Sequence, residues 1–367
     1  MYTADILGNS TQGVYSQMWR YPAWRMSTIS QIFEGVFGSS QMITRVRPLL
    51  ETQQGDGQGT LDSALQFLDA YAKTLNTTAS KLIYGGGGSA YYGVINANSA
   101  APDSIFAAGN YPDPNVLNNW AVDAMWLTNY GLKHVSYEGG PGINSAFTDT
   151  ENLAINGDAR METMMDAYKT SWDQMGGDLL IYYDLACSTA WEFTPDIFSD
   201  GSNSGTNTPK FAALADNQSV AKAAVTLGGA MPGTTMAVNQ STQVSNPNIH
   251  NDYGYNGTIG SGTTTCTVTN QTGSYIAYPV HAASAFTGNL SIFGIGDNGT
   301  AGGTTVAETL EVWINGIDTG AITLPATTSN SSGVNSSKLT VNLPAGLSMI
   351  RLVATTGAFN LCSLTVQ

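Results

Sequence analysis

DPNVLNNWAVDAMWLTNYGLKHVSYEGGPG, residues 113–142, is the stretch that reveals how the first part of the chain is built. Pro114 suits the first turn of a helix and Gly131 is a typical helix stop, so the stretch predicts a helix between them. The run that follows, residues 133–138, reads as a short strand that ends at Glu138 before a turn of glycine and proline. A helix that leads into a short apolar strand is the repeating unit of a parallel sheet with crossover helices.

Strand-like and helix-like segments alternate four times before residue 217, where the first domain is predicted to end. The predicted strands are short and mostly apolar, as expected for strands that are buried on both faces. This alternation predicts an α/β domain with a parallel sheet over residues 1–216. The four predicted strands are residues 42–50, 80–88, 133–140 and 178–186.

The last part of the chain, residues 217–367, has a different pattern. Apolar and polar residues alternate there in short runs that Gly, Asn and Pro interrupt. No segment of useful length has a helical period. Many short strands separated by turns predict an all-β second domain, a β-sandwich of the jelly-roll type.

The composition limits the classes of function. Only 11% of the residues are charged, the formal net charge is −14 and the sequence pI is about 4.3. An acidic chain repels phosphate backbones, so no nucleic-acid partner is expected. Neither a basic amphipathic helix nor a long apolar run indicates membrane binding. Abundant Gly, Ser, Thr and Asn beside few charges is typical of secreted, β-rich proteins, so an extracellular location is predicted.

The three cysteines are Cys187, Cys266 and Cys362. They form no CxxC pair and no cluster with histidine, so no structural zinc site is expected. Cys266 and Cys362 both lie in strand-like runs of the sandwich region. They are either a disulfide or two buried free thiols, and the sequence leaves both interpretations open.

Glu138 is the residue at which chemistry is most strongly indicated. Ligands bind at the carboxyl ends of parallel strands in barrels and open α/β sheets, so an acid in that position faces a ligand site. The glycines and the proline that follow let the backbone turn tightly and keep bulk away from the carboxylate. The alternative is an ordinary loop acid that pairs with an arginine. Other acids near predicted strand ends, each a candidate second carboxylate, are Glu51, Asp184 and Glu192.

Aromatic residues are also concentrated near the predicted strand ends. An aromatic face suits a sugar ring, because the C–H faces of the sugar are apolar while its rim is polar. Ordinary core packing is the alternative, and it is favoured for Tyr182 and Tyr183. The candidate substrate-binding residues of the first domain are Tyr84, Tyr91, Tyr92 and Trp191.

Several segments of the first domain resemble a single family. They are ITRVRPLLETQ (43–53), YGLKHVSYEGGPG (130–142), DARMETMMDAYKTSWDQMGGDLLIYYDLAC (158–187) and TPKFAAL (208–214). These segments resemble retaining glycoside hydrolases of the large (β/α)8-barrel clan, in particular secreted bacterial polysaccharide-degrading members with a YEGG strand. The resemblance implies that residues 1–216 are the second half of a TIM-type barrel, strands five to eight.

The same resemblance implies roles for two residues and the absence of a third. In the clan, the glutamate that ends the seventh strand is the nucleophile and an aromatic residue after the eighth strand is a sugar platform, which implies these roles for Glu138 and Trp191. The clan's acid/base is a glutamate that follows an asparagine, and this sequence contains no Asn-Glu dipeptide. Because retaining hydrolysis needs two carboxyls, the acid/base is expected outside this chain, on a second chain or a second copy that completes the barrel.

The second domain resembles the β-sandwich carbohydrate-binding modules that are often fused to such hydrolases. The resemblance implies that Asn360 lies in a sugar site, with Trp313 and Tyr253 as possible platforms, although Trp313 fits a sandwich core equally well. These modules often carry a structural calcium ion, and no other cofactor is expected. The segments that carry the resemblance are GSYIAYPVHAASAFTGNLSIFGIG (273–296), LEVWINGIDTGAITLP (310–325), LPAGLSMIRLV (343–353) and FNLCSL (359–364).

The function predicted from the sequence is therefore an extracellular, polysaccharide-active retaining glycoside hydrolase, or part of one, with a carbohydrate-binding module. Its expected partner is a polysaccharide or oligosaccharide. The alternative is a non-catalytic extracellular structural or glycan-binding assembly protein that is derived from a hydrolase. The missing acid/base favours the alternative, and the intact strand ending in Glu138 favours the enzyme.

Overall fold

The computed structural model contains an α/β part followed by two sheets of mainly antiparallel strands. It describes residues 14–53, 60–144, 146–186, 189–195, 208–236, 255–259, 266–269, 275–297, 307–327 and 333–367. Among the helices of these residues, none is both long enough and apolar enough to cross a membrane.

The helices lie in the first part of the chain. Helices α1 to α8 are Val14–Phe37, Leu61–Thr74, Ala79–Leu82, Pro102–Ile105, Pro114–Asn129, Asp149–Asn156, Arg160–Gln174 and Pro209–Asn217, and a short 3-10 helix covers Ser39–Gln41. Two residues explain why α5 begins at Pro114. A proline has no N–H that would be left without a partner in the first turn, and the Asp113 carboxylate caps the helix by accepting from the Asn115 N–H at 2.9 Å. The Thr208 side chain caps α8 in the same way, by accepting from the Phe211 N–H at 3.2 Å.

Short strands alternate with these helices. Strands β1 to β6 are Leu49–Glu51, Gly85–Gly87, Ala90–Tyr92, Lys133–Ser136, Gly139–Pro141 and Gly177–Leu180. Four of them form one parallel sheet in the order β1-β2-β4-β6, and β3 pairs in parallel with β5. The predicted parallel sheet is thereby confirmed. The described residues place four strands in this sheet, so the structure does not show an eight-stranded barrel, and the half-barrel interpretation stays a prediction.

The first strand is shorter than predicted. The sequence pattern predicts a strand over residues 42–50, whereas β1 begins only at Leu49. Met42 forms an isolated bridge with Val46, and Ile43 between them has a φ of 65°, so this segment is a turn. The apolar residues of the segment are therefore not the alternating faces of a strand, and this prediction is wrong.

The two faces of the parallel sheet have different surroundings. Leu50 packs into an apolar core with α2 and α5, and Leu180 packs beside the cluster that contains α7. Leu179 and Ile181 alternate with Leu180 and so point to the opposite face. Their side chains are 49% and 39% exposed. One face is therefore covered by helices, and apolar side chains lie open on the other.

The second part of the chain is a β-sandwich, as predicted. Strands β7 to β18 are Gly229–Met231, Gly233–Met236, Tyr255–Ile259, Cys266–Thr269, Tyr275–Ala282, Phe286–Asp297, Glu308–Ile314, Ile317–Leu324, Val334–Asn335, Leu339–Leu343, Gly346–Ala354 and Ala358–Val366. One sheet has the order β14-β13-β17-β11-β7, and the other is built around β12 and β18. Alternate side chains of both sheets, such as Val312 and Leu361, are fully buried in a common core.

Cys266 and Cys362 form a disulfide, which decides between the two interpretations that the sequence leaves open. The bond joins β10 and β18, which are neighbours in one sheet, across a sequence separation of 96 residues. Cys187 lies outside the described residues.

The α/β part and the sandwich share a core. Ala277 of β11 and Met349 of β17 are buried in the same apolar cluster as α2 and α5. At this contact the Arg351 guanidinium lies 5.6 Å from the ring centroid of Tyr130, which directly follows α5. The domain boundary between residues 216 and 217 stays a prediction, because the two parts are packed against each other.

Candidate functional site

The candidate site lies at the carboxyl edge of the parallel sheet, where β4 ends. The chain continues from Ser136 through Tyr137 and Glu138 into β5. There the Glu138 carbonyl accepts from the Ala90 N–H at 2.8 Å, and Tyr91 pairs with Gly140. The small β3–β5 pairing therefore places Tyr91 beside Glu138, although the two residues are 47 positions apart in the sequence.

The half-buried Glu138 carboxylate lies close to the Tyr91 and Tyr137 hydroxyls, near enough for its charge to act on both. Burial raises the pKa of both phenols, and the negative charge of Glu138 raises each pKa further. Both phenols are therefore protonated donors at neutral pH. The arrangement places a carboxylate beside two phenol groups and leaves it partly open to solvent.

A second contact connects this cluster to the neighbouring strands. The Tyr137 hydroxyl also lies close to Ser89, which follows β2. Ser89 in turn donates from Oγ to the Gln53 carbonyl, which follows β1, at 2.7 Å. The segments that leave three strands of the sheet are therefore joined around Glu138.

An aromatic wall, made of Tyr91, Tyr183 and Trp191, stands next to the carboxylate. The Tyr91 ring meets Tyr183 edge-on at a centroid distance of 6.3 Å, and it meets Trp191 edge-on at 6.5 Å. Tyr183 is 42% exposed, and Trp191 is half-buried. Edge-to-face packing of this kind fixes the rings while leaving part of their faces free for a ligand.

Glycine is required at two positions of the turn that follows Glu138. Gly140 has a φ of +110°, and a Cβ there would lie 2.8 Å from Cδ1 of Tyr182. A Cβ at Gly142 would lie 2.5 Å from the indole nitrogen of Trp191. The turn is therefore packed against the segment that follows β6, which brings Trp191 to the site.

Glu51 at the end of β1 is a buried acid. Neither carboxyl oxygen has a hydrogen-bond partner among the described residues. Burial, and then the negative charge of Asp123, raise the pKa of Glu51 to about 9. Glu51 is therefore neutral at pH 7.

The other acids near the site are also withdrawn from solvent. Glu192 is only 6% exposed. Burial raises the pKa of Asp184, although its own backbone N–H and the charge of Lys210 act in the opposite direction. Of the four acids that the sequence places near strand ends, Glu138 is the one whose charge acts on Tyr91 of the aromatic wall.

Lys210 is a residue that the sequence analysis does not single out. It lies in the first turn of α8, and its side chain is completely buried behind the Trp191 segment. Its Nζ donates to the Pro141 carbonyl at 3.4 Å and to the Glu192 carbonyl at 3.3 Å. Burial lowers its pKa to about 7, while the charges of Glu192 and Asp184 oppose the shift. The signal in the sequence is only a lysine among apolar residues in TPKFAAL.

Two predicted site residues lie elsewhere. Tyr84 precedes β2, at the amino edge of the sheet, where its hydroxyl donates to Asp178 at 2.6 Å and burial raises its pKa to about 12. Tyr92 is 2% exposed and stacks on Tyr168 at 4.0 Å within the core. The structure therefore brings Tyr91 and Trp191 together with Glu138, but neither Tyr84 nor Tyr92, because alternate residues of β3 face opposite sides.

The candidates in the sandwich are not on an open surface. The Asn360 side chain is completely buried in β18. Trp313 is half-buried between Lys73 of α2 and Arg351 of β17, each with its charged group 5.1 Å from the ring centroid. Trp313 thus packs where the sandwich meets the α/β part. Tyr253 lies outside the described residues.

No group of three or more His, Cys, Asp or Glu side chains within the described ranges is arranged to hold a metal ion. The calcium ion implied by the resemblance of the sandwich stays a prediction.

No protein-family model and no curated protein matches the chain. Solved structures are similar to part of it. The CBM35 module of Abf62 from Cellvibrio japonicus matches with 21% identity and a TM-score of 0.26, covering 39% of this chain and 88% of that chain. A family 35 carbohydrate-binding module from Clostridium thermocellum matches with 19% identity and a TM-score of 0.27, covering 36% and 95%. CsCBM6-3 from Clostridium stercorarium, solved in complex with cellobiose, matches with 16% identity and a TM-score of 0.29, covering 38% and 96%. At TM-scores this low, the similarity carries no argument about the function of this chain.

Proposed function

We propose that the chain is a carbohydrate-active protein and that the carboxyl edge of its parallel sheet is a sugar site of a retaining glycoside hydrolase. The observation that carries the proposal is the position of Glu138. Its half-buried carboxylate lies beside the Tyr91 and Tyr137 hydroxyls, next to an aromatic wall that contains Trp191. An apolar ring face beside a fixed carboxylate is the combination that a glycosyl group needs.

The reaction we propose for Glu138 is nucleophilic attack. A carboxylate oxygen attacks the anomeric carbon, the bond to the leaving oxygen breaks, and a covalent glycosyl-enzyme forms that water then hydrolyses. The neighbouring Tyr91 and Tyr137 hydroxyls are the donors that can orient the carboxylate in this reaction. The Trp191 and Tyr183 rings lie where they can support the sugar ring.

The general acid is proposed to come from outside this chain, on a second chain or copy. Open apolar side chains support this, because a surface of this kind normally meets another protein surface. Ile32 and Val36 of α1 are 62% and 71% exposed, and Leu179 and Ile181 beside β6 are 49% and 39% exposed. The first pair lies on the helix that packs near β1, and the second pair lies in and just after β6. β1 and β6 are the outer strands of the sheet, at which further parallel strands would add.

Covalent trapping tests Glu138 without needing the general acid. A 2,4-dinitrophenolate leaving group departs without protonation, so a 2,4-dinitrophenyl 2-deoxy-2-fluoroglycoside can label the nucleophile of a chain that lacks its acid. We propose incubation with the β-gluco, β-galacto, β-manno and β-xylo compounds, followed by peptide mass spectrometry. The expected result is one glycosyl adduct at Glu138.

Glu138→Gln should abolish the adduct, and Glu162→Gln on helix α7 is the matched control that should retain it. An adduct on another carboxylate would contradict the role of Glu138. Binding of oligosaccharides without any adduct would support the alternative, a non-catalytic glycan-binding or assembly protein. The observation that favours this alternative is that Glu51 and Glu192 are both withdrawn from solvent.

Localisation outside the cell is part of the same proposal. The disulfide between Cys266 and Cys362 supports it, because such bonds persist mainly in oxidising compartments. A free-thiol assay on protein isolated from its native source tests this, since an intracellular protein would carry both thiols reduced.

A further inference from the structure

Lys210 connects two segments of the site that are distant in the sequence. One is the turn that follows Glu138 and carries the Pro141 carbonyl; the other carries Trp191 and the Glu192 carbonyl. The Lys210 Nζ donates to both carbonyls, and it lies 5.7 Å from the ring centroid of Phe193.

The position of the amine is rigidly determined. Lys210 is the second residue of α8, directly after Pro209, and its side chain is completely buried. Thr208, which caps the helix, donates its hydroxyl to the Phe193 carbonyl. The N-terminus of α8 is therefore attached to the Trp191 segment through Thr208 as well as through Lys210.

The surroundings of the amine suit its neutral form. Within the part of the chain that the structure describes, no carboxylate lies within 4.0 Å of Lys210 Nζ, and only Asp184 and Glu192 act on it at longer range. A neutral amine has two N–H groups, and two carbonyls accept from it. An ammonium would carry a third donor and a buried charge that no close counter-ion offsets.

We propose that Lys210 is a positioning residue that locks the Trp191 segment to the turn after Glu138, and that protonation of its buried amine opens this lock. The role of this lock would be to set the distance between the aromatic wall and the Glu138 carboxylate. That role rests on the proposed function. The contacts on which the lock depends involve no sugar.

The direction of the pH dependence follows from linkage. Burial lowers the pKa of Lys210 to about 7 in the closed arrangement, from 10.5 for an exposed lysine. Opening the lock to water therefore takes up a proton at any pH between these two values. The ratio of the closed to the open form therefore increases by about tenfold for each pH unit above 7. Glu192 and Asp184, which face the amine from the Trp191 segment, moderate this effect by favouring the charged form.

Pulsed hydrogen–deuterium exchange of the full chain at pH 6, 7.5 and 9 tests the proposal. After correction for intrinsic exchange rates, peptides covering residues 139–144 and 189–194 should open less often at pH 9 than at pH 7.5, by up to about thirtyfold. Lys210→Met, which keeps the length but removes the donor, should make both peptides exchange faster than wild type at pH 9. It should also abolish their pH dependence.

Lys222→Met is the matched control, because Lys222 also donates to two carbonyls, those of Gly177 and Asp178, but at the amino edge of the sheet. This variant should leave both peptides unchanged. Equal exchange in wild type at pH 7.5 and 9 would overturn the proposal, and so would exchange in Lys210→Met that matches wild type at every pH. If Lys210→Met fails to fold, the pH profile of wild type decides alone. A failure of covalent labelling at Glu138 would overturn the catalytic function and leave this result untouched.

Discussion

The indole of Trp191 lies directly on Gly142, so closely that a Cβ at position 142 would stand 2.5 Å from the indole nitrogen and 2.9 Å from Cδ1. No side chain fits between the two residues. The last glycine of the turn after Glu138 therefore determines how far the aromatic wall stands from the carboxylate. The wall and the turn come from segments that meet only in the folded chain.

Gly142→Ala is expected to displace the Trp191 indole, because a single methyl group occupies its present position. Overpacking of this kind costs about 1–3 kcal/mol. Urea unfolding measures the cost, and near-UV circular dichroism follows the loss of the contact between Trp191 and Tyr91. Gly35→Ala in helix α1 is the control, since a Cβ there meets nothing within 4 Å. Equal stability of both variants would contradict the close packing at Gly142.

Glu51→Gln is expected to flatten the pH dependence of stability. The pKa of Glu51 is raised from 4.5 to about 9 in the folded protein, so the folded state holds a proton that the unfolded state releases. Its contribution to stability is complete below pH 4.5 and is lost as the pH rises to 9, by about 1.4 kcal/mol per pH unit. Residue 51 of the variant is neutral at every pH. The free energy of unfolding of the variant should therefore rise relative to that of wild type between pH 5 and pH 8.

Urea unfolding at these two pH values measures the difference for Glu51→Gln. Glu34→Gln on the exposed face of α1 is the control and should follow wild type. Parallel stability curves for Glu51→Gln and wild type would show that Glu51 does not hold its proton in the fold.

Arg351→Met is expected to weaken the contact between the sandwich and the α/β part. The Arg351 guanidinium lies 5.1 Å from the ring centroid of Trp313 and 5.6 Å from those of Tyr130 and Tyr275. The side chain is 6% exposed, so its cation–π contacts are desolvated and worth about 2 kcal/mol. Urea unfolding measures the loss.

A double-mutant cycle of Arg351→Met with Tyr130→Leu isolates this contact, and a coupling of about 0.5–2 kcal/mol is expected. Arg47→Met is the control, because Arg47 lies over a single ring, that of Tyr84, at 4.7 Å, and that ring belongs to the α/β part. Strict additivity of the Arg351 and Tyr130 changes would mean that the two parts are held together by other contacts.

Local patterns were sufficient for the order of the longer helices and of most strands of the parallel sheet. Apolar residues at helical spacing predict α5 and α7, and short apolar runs predict β4 and β6. One exception is the segment at residues 42–48, where an apolar run forms a turn instead of a strand. A second is the predicted strand at residues 80–88, whose first residues lie in helix α3 and which is a strand only over Gly85–Gly87. Composition does not distinguish a strand from an apolar turn over so few residues.

The candidate site was predictable only in part. Glu138 could be found because an acid at the end of a parallel strand is visible in the sequence, and so could Tyr91 and Trp191 as nearby aromatics. Tyr84 could not be separated from them. Its place at the amino edge depends on where β2 begins, one residue later. Tyr92 and Asn360 are not part of an open site because they are buried, and no local sequence pattern shows that they would be.

The sequence by itself determined that helices and parallel strands precede a sandwich, and that an acid ends the strand at Glu138, because both are properties of residues a few positions apart. Only the tertiary structure decided that Tyr91 lies beside Glu138, that Cys266 bonds to Cys362, and that Lys210 reaches Pro141 across 69 positions. The physical reason is that these contacts depend on which segments the sheets bring together and on how much water remains between them.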